Sequence, residues 1–228
     1  MVGDYKIWES SHKKLLGVEI DNGLKFNLHV TNICKKANMK LSALARISRL
    51  IPFKKRRILF KSFVESQFAY CPLVWMFHDK NLYNKINRFH ERALRIVYKD
   101  DTSSFEALLK KDSSVSIHHR NIQLLAIEVY KFTRGIAVPL MNDIFTKRCY
   151  NGPILRTNLD LKTPSVNTVY KGDDSLRHLG PLIWQIVPEY LKNAKSLEAF
   201  KIGMESWIPN QCPCRLCKEY IPGVGYIT

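Results

Sequence analysis

From residue 22 to residue 64 the sequence contains no Asp or Glu, yet the same stretch holds eleven Lys and Arg residues. They are Lys25, Lys35, Lys36, Lys40, Arg46, Arg49, Lys54, Lys55, Arg56, Arg57 and Lys61. Density of one sign excludes an ordinary mixed-charge surface built for neutral partners. Like charges this close repel, so the arrangement costs stability unless a polyanion answers it. Long apolar runs are missing too: the longest, Tyr70 to Phe77, is broken by Pro72 and falls far short of the roughly 20 residues that span a bilayer. No membrane partner is expected. The N-terminus runs into charged sequence instead of an apolar segment, which argues against a secretory signal and for an intracellular location, nucleus or cytoplasm. Cysteine is scarce: six residues at uneven spacing exclude a disulfide framework and predict reduced thiols. There is no Gly-rich phosphate loop, no nucleophile elbow, no His-Glu-x-x-His helix and no internal repeat.

What is present is a globular composition. With 228 residues, 46% of them hydrophobic and 11% aromatic, the chain can bury a core and suits one large or two small domains. The fold class read from the pattern is mainly α, with a short N-terminal β-hairpin followed by a basic helical region and a helical C-terminal region. Tyr5 to Trp8 and Lys14 to Ile20 read as two strands, the second stopped by Asp21-Asn22-Gly23. Two strands cannot bury themselves, so this segment, residues 1–27, reads as the edge of a larger sheet.

Residues 28–99 carry the charge on helices. Val30, Ile33, Ala37, Leu41, Leu44 and Ile47 recur at spacings of three and four, while Lys35, Lys36, Lys40, Arg46 and Arg49 fall largely off that stripe. Pro52 ends this helix. A second starts near Phe53 with Lys54, Lys55, Arg56 and Arg57 in its first turns, and is expected to bury Ile58, Leu59, Phe63 and Val64 before Pro72 interrupts it. Cations at a helix N-terminus oppose the macrodipole, which an anion there would relieve. A third helix, about Leu82 to Lys99, sets Leu82, Ile86, Phe89, Ala93 and Ile96 on one face. Beside them run Lys85, Arg88, Arg92, Arg95 and Lys99 as a cationic stripe matched to a phosphate backbone.

Residues 100–207 read as further helices at Phe105 to Lys110, Ile117 to Arg134, Pro139 to Phe145 and Ser196 to Trp207. An irregular crossing at 149–174 separates them, and a Cys-containing tail occupies 208–228. Tyr98-Lys99-Asp100-Asp101 matches the Tyr-x-Asp-Asp string of reverse transcriptases, whose carboxylates hold catalytic metal ions. That site needs a hairpin between apolar strands. Here the string follows a helical pattern, and Ser103 with Glu106 reads as a capping box opening the next helix, so the pair is placed in a loop with no catalytic role. The tail brings Cys212, Cys214 and Cys217 close together, yet a structural zinc site needs four ligands and no His or Cys follows. The fold would have to supply Cys149 or His178; otherwise the stretch is a loop of reduced cysteines. His118 and His119 are read as the start of a helix and given no chemistry.

Several strings resemble the reverse transcriptases of non-LTR, LINE-like retrotransposons, in the region after the catalytic motif. They are Lys14-Leu15-Leu16-Gly17-Val18, the run from Glu65 to His78 (Glu65-Ser66-Gln67-Phe68-Ala69-Tyr70-Cys71-Pro72-Leu73-Val74-Trp75-Met76-Phe77-His78), and Asn87-Arg88-Phe89-His90-Glu91-Arg92-Ala93-Leu94-Arg95. Ser116-Ile117-His118-His119-Arg120-Asn121, Leu179-Gly180-Pro181-Leu182-Ile183-Trp184, Phe200-Lys201 and the cysteine patch extend the likeness over nearly the whole chain. The resemblance implies that residues 1–27 end a palm, 28–99 form a thumb gripping template–primer duplex, and the remainder is a C-terminal helical extension. It also implies that the fingers, most of the palm and the catalytic Asp pair, with the Mg²⁺ that family uses, lie upstream of Met1. The expected function is therefore that of a truncated RNA-directed DNA polymerase that keeps nucleic-acid binding but no catalysis, its partners being RNA–DNA or DNA duplex and the upstream palm and fingers. The alternatives are a stand-alone, non-enzymatic basic interaction protein and a decayed gene copy without function. Preference for RNA–DNA hybrid, held through its backbone, separates the first reading from the second.

Overall fold

The structure, a computed structural model, describes residues 10–148, 161–168, 172–209 and 212–220. The chain divides into two compact units, Met1–Ser114 and Val115–Thr228. It is mainly α-helical, with one two-stranded hairpin at the start, as the patterning predicts. Among the described residues, no helix is long and apolar enough to cross a membrane.

The first unit opens with β1 (His12–Leu15) and β2 (Val18–Asp21), antiparallel with Leu15 opposite Val18. The strand expected at Tyr5 to Trp8 lies outside the described residues. The one expected over Lys14 to Ile20 is instead folded back on itself at Leu16 and Gly17, whose φ angles of 46° and 88° form the left-handed two-residue turn that matches strand twist. Gly17 makes that reversal inexpensive, and a strand reading by alternation alone misses it. Asp21 then organises the exit. Its carboxylate accepts from the N–H groups of Gly23, Lys25 and Phe26 at 3.0, 3.1 and 2.7 Å. Burial raises its pKa, but these bonds outweigh burial and leave it below the ordinary carboxylate value.

Helix α1 (Asn27–Ile47) buries Val30, Ile33, Ala37, Leu41 and Leu44, joined by His29 and Cys34, while Ile47 is exposed. Helix α2 (Phe53–Leu59) runs on through a wide π turn, Phe60–Val64, and a tight 3₁₀ turn, Glu65–Phe68. Here the expected inward face is overturned except at Val64: Ile58 is 58% and Phe63 56% exposed, whereas Arg56, Phe60, Val64 and Phe68 are buried, with Glu65 beside them. The first four stand four apart. An α-helix advancing 100° per residue would carry such a stripe off its face, and the wide turn brings it back. Cys71, at φ 46°, turns the chain into the short helix α3 (Pro72–Trp75), where the Trp75 indole N–H donates to the Tyr70 carbonyl at 2.9 Å.

Helix α4 (Lys80–Tyr98) is capped by Asp79, which accepts from the Leu82 N–H at 2.9 Å, and it stops at Lys99 in the left-handed region. Leu82, Ile86, His90, Ala93, Leu94 and Val97 are buried. Helix α5 (Phe105–Asp112) folds with the first unit. Its cap is Ser104, which accepts from Ala107 N–H, and not Ser103, which instead bonds Asp100. Asp112 at its end is 2% exposed and accepts from Arg57 Nε at 2.7 Å and the Tyr98 hydroxyl at 2.8 Å, tying α2, α4 and α5 together. Burial, then the bond to Asp112, pushes the Tyr98 hydroxyl up to about 12.

The second unit is built on α6 (Ile117–Thr133), with α7 (Met141–Ile144), α8 (Leu176–Ile186), α9 (Glu189–Lys192), α10 (Leu197–Ser206) and α11 (Arg215–Tyr220). Its core holds an aromatic cluster: Tyr130 stacks on Phe200 at 4.2 Å between centroids, and Trp184 lies within 6.4 Å of both. The Tyr130 hydroxyl donates to the Ala194 carbonyl at 2.9 Å, so its polar end is satisfied. Gly180 lets α8 approach Phe145, whose ring occupies the place a Cβ would take. Much of the expected irregular crossing lies outside the described residues. Its described part makes one antiparallel bridge, Leu161 to Lys147.

Arg56 generates a stability prediction. Its Nε donates to the Val97 carbonyl at 3.0 Å, and one terminal nitrogen donates to Ser48 and Ile51 carbonyls at 3.0 and 3.3 Å. Arg56→Ala leaves buried carbonyls without donors and should cost about 2–4 kcal/mol in urea unfolding. Arg56→Lys should recover less than half of that loss, because one ammonium cannot reproduce the two-sided fork.

Candidate metal centre and cationic surfaces

Ser116 starts α6 by accepting from the His119 N–H at 3.2 Å, which places His118 in the first turn. At the far end of the unit, Cys214 precedes α11, and its sulfur accepts from the Cys217 N–H at 3.4 Å in the manner of a capping side chain. The two ends converge. His118 Nε2 lies 3.3 Å from Cys217 Sγ and 3.4 Å from Cys214 Sγ, and the ligand atoms of His118, Cys212, Cys214 and Cys217 all fall within 4.8 Å of one another. Exposure of the four is 5, 1, 8 and 0%.

Sequence reasoning therefore found three of the four residues and missed the fourth. His118 closes the set. Cys149 lies outside the described residues, and His178 is engaged elsewhere, its Nδ1 3.2 Å from the Pro164 carbonyl. No local signal marks His118, because its partners follow 94 to 99 positions later (212 − 118 and 217 − 118). The neighbouring His119 is a different group: burial, then the adjacent His118, lowers its pKa to about 4, so it is a neutral imidazole.

The cluster has the chemistry of a metal centre. One ring nitrogen cannot satisfy two sulfurs at once, and three buried thiols offer each other only weak bonds. Contact with the Cys212 and Cys214 sulfurs, then burial, pushes the Cys217 thiol far above its ordinary value when no cation is present. A bound cation reverses that tendency by taking the thiolate form. With metal–sulfur and metal–nitrogen bonds of about 2.3 and 2.0–2.1 Å, a tetrahedral site has a nitrogen–sulfur edge of about 3.6 Å, close to the spacings seen here.

The cations expected to meet nucleic acid are distributed differently from one another. On α1, Lys35, Lys36, Lys40 and Arg46 are exposed, as are Arg49 just beyond it and Lys54 and Lys55 at the start of α2. On α4, Lys85, Arg88 and Arg92 are exposed, with Lys99 just beyond the helix. Arg92 donates to Asn38 of α1 at 3.2 Å, so the two cationic helices are adjacent at that point. Arg95 is half-buried and bonds Glu91 at 2.6 Å. Arg57 is held by Asp112, and Arg56 is buried on carbonyls; this is a correction to their expected solvent-facing role. A helix start reads as uniformly basic in sequence, whereas the four-residue stripe turns Arg56 inward.

Lys14 of β1 joins Lys35 and Lys36 along a cleft of about 560 Å³, which Asn32, Ser66, Gln67 and Tyr70 also line. Its one acidic lining residue is Glu19. Asp100 and Asp101 lie in the α4–α5 loop, as expected. Asp100 accepts from the N–H groups of Thr102 and Ser103, the Ser103 hydroxyl and Lys111 Nζ. The Ser103 N–H first, then Lys111, holds its carboxyl far below the usual range.

No family model, curated protein or solved structure matches this chain.

Burial differs sharply among the described cysteines: Cys71 is exposed, whereas Cys34, Cys212, Cys214 and Cys217 are buried. A brief pulse of a thiol alkylating reagent on the folded protein, read by peptide mass mapping, should label Cys71 well before those four.

Proposed function

We propose that this chain is the downstream, nucleic-acid-gripping part of a LINE-like reverse transcriptase, and that its buried His–Cys₃ cluster holds zinc. The observation that carries the first reading is the exposure of eleven of the expected cations, seven of them on the adjacent helices α1 and α4, with Lys35 and Lys36 also lining the hairpin cleft. Lysines on a rigid helix meet a regular array of phosphates without the entropy cost of ordering a tail. The likeness of the sequence strings to the family's post-catalytic region supplies the identity of the anion: a template–primer duplex. No step of nucleotidyl transfer is assigned to these residues, because Asp100 is engaged in its own loop and the family's Asp pair would stand upstream.

Zinc is favoured for the cluster because three thiols and one imidazole gathered within 4.8 Å offer the ligand set of a soft-ligand structural site, and a closed set of four leaves no position for substrate. Its contribution there would be cohesion, not catalysis. The stand-alone interaction protein remains the competing reading of the cationic helices, and duplex preference decides between the two.

Two measurements test these readings. Binding to a synthetic RNA–DNA duplex should be nearly independent of sequence and should weaken on the order of 10³-fold between about 50 and 200 mM salt if roughly six to eight phosphates are neutralised. Replacing Lys85, Arg88 and Arg92 together by Gln should flatten that salt slope by about three contacts, since all three are exposed and Gln preserves helix propensity. Tight binding with an unchanged slope would place the contact elsewhere, and salt-indifferent, weak binding by the parent protein would reject the reading. For the cluster, elemental analysis of protein purified without added metal should find about one zinc per chain, lost on Cys214→Ser.

A further inference from the structure

We infer that the His118–Cys212–Cys214–Cys217 centre is a clasp that makes folding of the second unit depend on the metal, not a self-contained knuckle that contacts nucleic acid. The inference rests on the zinc reading and goes beyond it. In a knuckle, all ligands sit in one short loop that folds around its ion by itself and leaves an outer face to a partner. Here the imidazole comes from the first turn of α6, and the sulfurs it meets are 96 and 99 residues further on. One ion would therefore join the two ends of the unit's described chain. Closing so long a loop restricts the unfolded ensemble far more than a local turn does, so the metal's binding energy becomes folding energy for the whole unit.

Burial points the same way. All four ligands are at least nine-tenths buried, leaving no exposed edge of the centre for a phosphate or a base. The segment they anchor is also poorly supported by itself. Helix α11 has six residues, well below the length at which an isolated helix holds in water. Apart from the cluster, its described side chains contribute a buried Leu216 and the Arg215 to Asp174 ion pair at 2.7 Å. At the other end, α6 supplies much of the unit's core, including Ile122, Leu125, Ala126, Val129 and Tyr130. A clasp at its first turn fixes this central helix at the point where helices otherwise fray.

The test uses the full chain under reducing conditions. Amide hydrogen exchange is followed over α6 and residues 212–220 in the zinc-loaded protein, after removal of zinc by a strong chelator, and in the His118→Ala and His118→Cys variants. Chelation should raise exchange roughly tenfold or more in both segments and lower the thermal transition of the second unit, and readdition of zinc should reverse both changes. His118→Cys should retain zinc and protection, because a fourth thiolate replaces the imidazole, whereas His118→Ala should lose both. Affinity for the synthetic RNA–DNA duplex should change by less than about twofold on chelation, as the clasp's ligands belong to the second unit and the cations to the first. If the protein holds zinc but chelation leaves α6 protection unchanged, or the metal stays fully bound in His118→Ala, the clasp is wrong while the zinc reading stands. A purified protein that never binds zinc overturns both. Should the variants fail to fold, chelation of the parent protein decides alone. Loss of duplex binding in step with zinc would make the centre a nucleic-acid contact and overturn the clasp.

Discussion

Arg56 is a cation taken out of water in a chain that already carries a formal net charge of +16, and its guanidinium is received by carbonyls of Ser48, Ile51 and Val97. Val97 belongs to the last turn of α4, and Ser48 follows the last residue of α1, so a single side chain supplies donors to helix ends that would otherwise lack them. A positive group at the negative ends of two helices is also electrostatically favoured. The outward lysines and arginines of α1 and α4 can repel one another because this inward arginine, with Asp112 between Arg57 and Tyr98, holds their helices in place.

Much of the architecture was legible as periodicity. The buried stripe of α1 matches the apolar spacing at every position but Ile47, and α4 is where its amphipathic pattern puts it. The inward face of the α2 segment was legible only at Val64. Its stripe includes an arginine, and it is kept straight by a wide turn whose hydrogen bonding leaves no trace in the order of apolar residues. The hairpin was half legible: its strands are ordinary in composition, and only Gly17 hints at the reversal. In the α4–α5 loop two adjacent serines compete for one capping role. Asp100 takes Ser103, which leaves the cap to Ser104.

The candidate metal centre shows a different limit. Three cysteines within six residues announce themselves because metal-site patterns are usually local. The fourth ligand depends on a tertiary meeting between the start of α6 and the segment before α11, and no spacing rule reaches that far. What separates His118 from His119 is helix phase: His118 is 5% exposed and lies against the sulfurs, whereas its neighbour is only partly buried. That distinction exists only once the helix has been placed.

The hairpin carries a consequence for how the protein behaves among its own copies. All four residues of β1 are exposed, and its outer edge meets no other strand among the described residues. Where such an edge is left uncovered it invites self-association by strand addition, with Leu15 and Leu16 supplying apolar surface at 59 and 83% exposure. Lys13 and Lys14 sit on that edge, and two such strands approaching each other would bring four ammonium groups together. The positive charge that draws a polyanion thus also serves as a colloidal guard, one that concentrated salt would switch off by screening.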